Sequence, residues 1–74
     1  MDIHNLVKMA NQIGAFFESM PDREQAKADI VTHIKKFWEP RMRSTILQKM
    51  DGGEAEGLSP MVREAIDAHR GMLV

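Results

Sequence analysis

The 74-residue chain contains no cysteine, no tyrosine and a single tryptophan. The missing thiols exclude a disulfide staple, a thiolate zinc site, an iron–sulfur cluster and a cysteine nucleophile in this chain. Excess charge of one sign is missing as well: 10 Lys+Arg stand against 11 Asp+Glu, a formal net of −1. That balance argues against a general polyelectrolyte binder. No apolar run approaches the roughly 20 residues needed to span a bilayer, and no basic stretch followed by an apolar one opens the chain. These absences point to a small cytoplasmic protein with no membrane segment. The length allows one domain, spanning 1–74, whose fold buries only about 60% of its unfolded surface, so its own stability is expected to be marginal.

Helical periodicity dominates what is present. At about 100° per residue, Ile3, Leu6, Val7, Ala10, Gly14 and Phe17 line one stripe of a first helix over about 2–20, with Asp2 as N-cap. Met9, Ile13, Phe16 and Met20 widen that stripe to about 180°, where a helix on one core needs little more than 100°. Pro21 ends this helix. Asp22 opens a second over about 22–38, with Gln25 three residues later resembling a capping box. Ala26, Ile30, His33, Ile34 and Phe37 form its main stripe, and Val31 and Trp38 a second ridge. Pro40 starts a third helix over about 40–50, carrying Met42, Ile46, Leu47 and Met50. Asp51 to Gly57 reads as a flexible glycine-rich connection, and Ser59-Pro60 opens a fourth helix over about 60–70. The expected fold is all-α, a small bundle of three or four short helices.

Chemistry is scarce. His4 falls on a polar face; His33 and His69 lie within apolar stripes, where a packed ring with one bonded nitrogen is the default. Neither Asp29 near His33 nor Asp67 near His69 matches a zinc spacing. There is no His-Glu-x-x-His, no phosphate-cradling glycine loop and no serine elbow. No catalytic, cofactor or metal residue is assigned. The segment Lys35-Lys36-Phe37-Trp38-Glu39-Pro40-Arg41-Met42-Arg43 instead combines a local +3 with two aromatics, leaving −4 for the rest (−1 minus +3). Nucleic-acid contact would use such residues, but no second basic stripe supports it. Protein docking suits them better, since Trp, Arg and Met are enriched at interfaces. Seven methionines, most on helical apolar faces, point the same way.

Leu6-Val7-Lys8-Met9-Ala10-Asn11-Gln12-Ile13, Phe16-Phe17, Pro21-Asp22-Arg23, His33, Phe37-Trp38, Pro40-Arg41-Met42-Arg43, Gly57-Leu58-Ser59-Pro60 and Val62-Arg63-Glu64-Ala65 occur in that order. In order and spacing the chain resembles the delta subunit of NAD-dependent formate dehydrogenase, from Leu6 to about Leu73. The resemblance implies a cofactor-free accessory subunit of a cytoplasmic complex. Its alpha subunit would carry a molybdenum or tungsten pterin cofactor and iron–sulfur clusters. The beta and gamma subunits would carry FMN, further clusters and the NAD site. The combined reading is a non-enzymatic helical subunit supporting assembly, stability or cofactor insertion, with no nucleic acid and no membrane among its partners. It would dock on the alpha subunit through Phe16, Phe37, Trp38, Pro40, Arg41, Met42 and Arg43, with Trp38 filling a partner pocket and Arg41 or Arg43 forking onto a partner carboxylate. The competing readings are a nucleic-acid-binding module and a homodimeric bundle. A carrier domain is disfavoured because Ser59 sits between Leu58 and Pro60 rather than in an Asp-Ser-Leu context.

Overall fold

Four helices, each begun by a local signal, enclose one aliphatic interior in the computed structural model, which describes residues 2–74. Helix α1 runs Ile3–Phe17, α2 Arg23–Phe37, α3 Pro40–Asp51 and α4 Pro60–Ala68, followed by a 3-10 turn at Arg70–Met72. There is no strand among the described residues. Asp2 accepts from the His4 amide, Asp22 from the Glu24 and Gln25 amides, and Ser59 from the Val62 amide, each satisfying donors that a helix start leaves free. Pro40 and Pro60 occupy the first turns of α3 and α4, where no amide proton is needed. The capping box at Asp22 is incomplete, because the Gln25 amide donates to Asp29 rather than reaching back.

The interior is built from Leu6, Val7 and Ala10 of α1; Ala26, Ile30, Val31 and Ile34 of α2; Ile46, Leu47 and Met50 of α3; and Met61, Val62, Ala65 and Ile66 of α4. Among the described residues no polar or charged residue is buried as a whole. Ala26, Ile30 and Ile34 of the main ridge of α2, and Val31 and Trp38 of the second, are covered where α2 packs on α1 and on α4, whereas Phe37 at the end of the main ridge stays exposed. The radius of gyration is 11.0 Å, close to the roughly 11 Å expected of a packed chain this long. Helix α1 meets α4 closely at Gly14, where an added Cβ would lie 2.5 Å from the Val62 methyl.

Three boundaries differ from the periodicity. Helix α1 stops at Phe17 instead of about residue 20, since Pro21 disfavours α geometry at Met20 and the chain unwinds before it. Helix α4 ends at Ala68, and the tail then folds back: Leu73 is 3% exposed, and the Arg70 guanidinium holds both Asp51 oxygens at 2.9 and 2.8 Å and Asp67 at 3.1 Å. The segment Asp51–Gly57 is anchored rather than loose. Ala55 and, just beyond, Leu58 enter the core. Asn11 donates to the Gly57 carbonyl and accepts from the Ser59 amide, both at 2.8 Å, and Arg63 donates to the Ala55 carbonyl at 3.2 Å. Gly53 and Gly57 supply the positive φ angles, 71° and 85°, that turn the chain there.

Helices α2 and α4 are also tied by charge. Glu64 accepts from Arg23 at 3.1 Å and from Lys27 at 3.4 Å, while Lys27 also pairs with Glu24 at 2.8 Å. The Lys27 hydrogen bond, then the Arg23 charge, hold the Glu64 carboxyl below its ordinary 4.5. Glu24 foremost, then Glu64, hold the Lys27 ammonium above its ordinary 10.5, against an opposing effect of desolvation.

Two outcomes follow from these contacts. Gly14→Ala gains about 1 kcal/mol of helix propensity but overpacks a stiff β-branched neighbour at a cost of about 2–3 kcal/mol. The net expectation is a melting temperature lowered by several degrees in a thermal scan. The Glu64 contribution is complete above about pH 4.5 and lost as the pH falls through the depressed value. That of Lys27 is complete below about pH 10.5 and lost as the pH rises through the raised one. Denaturation followed from pH 7 to pH 3 should therefore show a smaller acid loss in Glu64→Gln than in the parent chain.

Candidate docking groove

Helix α1 has two apolar stripes, and only one of them faces the core. Leu6, Val7, Ala10 and Gly14 are buried, whereas Met9 and Phe16 are exposed and Ile13 is half-buried. This second stripe, the C-terminal end of α2 and the start of α3 enclose an open groove of about 430 Å³. Met9, Gln12, Ile13 and Phe16 form one wall, His33 and Phe37 the other, and Trp38 and Met42 the base. Phe16 is 77% and Phe37 70% exposed. Full burial of a phenylalanine is worth roughly 2–3 kcal/mol, so two rings left in water represent several kcal/mol available to association.

The walls are joined by an aromatic row. Phe16 meets Phe17 edge-on with ring centroids 5.0 Å apart, Phe17 meets His33 at 6.4 Å, and His33 meets Phe37 at 4.7 Å. His33 is thus held by ring packing between two phenylalanines. No group of three or more His, Asp or Glu side chains able to hold a metal ion occurs among the described residues.

The structure divides the expected docking residues among different tasks. Phe16, Phe37 and Met42 line the groove. Trp38 lies in the groove too, but it is only 6% exposed and belongs to the core, so it cannot project into a partner pocket. Its backbone amide donates to the Ile34 carbonyl at 2.9 Å and closes α2. The expected role for Arg43 changes as well: its Nη1 donates to the Lys35 carbonyl at 3.0 Å, capping the end of α2, and its Nε is buried without a partner. Pro40 and Arg43 line a second cleft of about 470 Å³, bordered by Leu47, Arg70, Leu73 and Val74. Arg41 alone of the two arginines keeps an exposed, unengaged guanidinium.

Met9, Ile13 and His33 were not singled out for docking by composition, which favours Trp and Arg. The signal for them is the over-wide apolar arc of α1, which already holds Met9 and Ile13 beside Phe16. The division of roles has a direct test. Trp38→Ala should cost about 3–5 kcal/mol of the roughly 4–11 kcal/mol available to a domain of this size and lower the melting temperature followed by circular dichroism by more than about 10 °C. Phe37→Ala should change the melt by less than about 1 kcal/mol.

Comparison with known proteins adds the identity that groove geometry alone does not contain. The family model described as the NADH-dependent formate dehydrogenase delta subunit, FdsD, matches residues 5–66, from the first turn of α1 to the buried Ile66 of α4. No curated protein and no solved structure matches the chain. The match covers most of the sequence and all three helices that enclose the groove, and the chain belongs to the family of formate dehydrogenase delta subunits.

Proposed function

We propose that this chain is a non-catalytic accessory subunit of a cytoplasmic NAD-dependent formate dehydrogenase. It docks on the large alpha subunit through the groove between α1, α2 and α3. The family match supports the complex. The observation that carries the docking is the pair of largely exposed phenylalanines lining one groove. Phe16, Phe37, Met9 and Met42 supply the apolar contact, with methionine adapting its shape to the partner. Trp38 sets the shape of the groove floor from within the core.

The chemistry of formate oxidation then belongs to other subunits. The molybdenum or tungsten pterin cofactor and iron–sulfur clusters are assigned to alpha, and FMN, further clusters and the NAD site to beta and gamma. Covering the groove stabilises both partners, because a ligand that binds only the folded state shifts the unfolding equilibrium by mass action. A folded delta subunit seated on alpha thereby supports the assembly and stability of the complex.

Co-expression of all subunits with Phe16→Ser/Phe37→Ser in this chain tests the assignment. The expected result is loss of the chain from the purified complex on size exclusion. The remaining enzyme should show less bound metal or a lower inactivation temperature. Full retention of the doubly substituted chain would overturn the groove as the docking site. Equal metal content and stability with and without the chain would overturn the supporting role.

A further inference from the structure

The lining of the groove says how strongly it can hold a partner; its rim says what kind. Of the 10 Lys+Arg side chains, six are engaged within the chain. Arg23 and Lys27 hold Glu64, Lys49 holds Glu54, Arg70 holds Asp51 and Asp67, and Arg43 and Arg63 donate to carbonyls. The other four, Lys8, Lys35, Lys36 and Arg41, are exposed and make no ion pair among the described residues.

Three of these four directly precede a groove residue: Lys8 precedes Met9, Lys36 precedes Phe37 and Arg41 precedes Met42. One comes from each helix that encloses the groove. Lys8 also lies one turn before Gln12, and Lys36 one turn after His33, so both share a flank with groove-lining side chains. Glu39, next to Trp38, and Glu18, beyond Phe17, are the exposed carboxylates closest in sequence, and both sit at helix ends. Three exposed cations with no ion pair among the described residues, each next in sequence to a groove-lining residue and outnumbering the adjacent carboxylate Glu39, fit a partner carrying carboxylates beside an apolar stripe. The walls are helical and the described residues offer no sheet edge, which favours a helix laid in the groove over an added strand.

We propose that the occupant of the groove is an acidic amphipathic helix of the partner subunit, a step that rests on the docking reading above. Its apolar stripe covers Phe16 and Phe37, and its flanking Asp and Glu side chains meet Lys8, Lys36 and Arg41. Charges placed on such a rim act mainly on the rate and orientation of encounter, while buried aromatic contact governs dissociation.

Association kinetics between the purified chain and the holo-complex lacking it, measured across a salt series, separate the two contributions. Lys36→Glu/Arg41→Glu should slow association at least about tenfold at low salt and flatten its salt dependence. Phe16→Ser should instead raise the dissociation rate. Wild-type association by the charge-reversed chain, with Phe16→Ser still defective, would overturn the acidic helix and leave the docking groove standing. Wild-type binding by Phe16→Ser would overturn both. Sedimentation of the free chain covers another occupant: a dimer dissolved by Phe16→Ser would assign the groove to a second copy. Salt-sensitive binding of a single-stranded oligonucleotide, lost on charge reversal alone, would assign the cations to phosphate and overturn the proposal.

Discussion

The tight crossing of α1 over α4 at Gly14 and Val62 decides how the rest of this bundle is arranged. Because Gly14 has no side chain, the Val62 methyl sits directly against the α1 backbone, and the face of α1 bearing Leu6, Val7 and Ala10 is buried in the core. A helix has only one circumference, and turning that face inward sends Met9 and Phe16 to the outside. Four helices of nine to fifteen residues cannot wrap a second interior around them. The groove is therefore a geometric result of how α1 is seated, and it lies at the junction with α2 and α3 because those helices end and begin there.

That seating is reinforced from the opposite side. Asn11 lies on the polar part of α1 and bonds the chain at Gly57 and Ser59. Ala55 and Leu58 sit in the core on either side of that bond. The connection thus works as a strap across α1, while Arg70 fixes the tail to the end of α3. With α1 held by its core face, its strap and its crossing with α4, the backbone of the groove wall is held in place, and association there needs ordering only of its side chains.

Most of the architecture was legible from local chemistry. Asp2, Asp22, Ser59, Pro40 and Pro60 announce helix starts by mechanisms that need no tertiary contact, and the 3.6-residue period marks the buried stripes of all four helices. The surplus apolar arc of α1 was visible too, and it proved to be the wall of the groove. What the sequence could not show depends on long-range neighbours. Trp38 is the residue type that interfaces favour, yet the fold takes its indole into the core, where it is only 6% exposed. Arg43 looks like a free basic group until the Lys35 carbonyl, eight residues earlier, is brought within 3.0 Å. Glycine-rich composition makes Asp51–Gly57 look loose, because nothing local reveals that Asn11, 46 residues before Gly57, holds it.

Trp38 has one more consequence. It is the only tryptophan in a chain without tyrosine, so essentially all near-ultraviolet emission above the weak phenylalanine background originates at a single indole. That indole is shared between the hydrophobic interior and the base of the cleft. The molecule thus carries its own optical probe at the place where another polypeptide would be seated, and no added label is needed to watch that event.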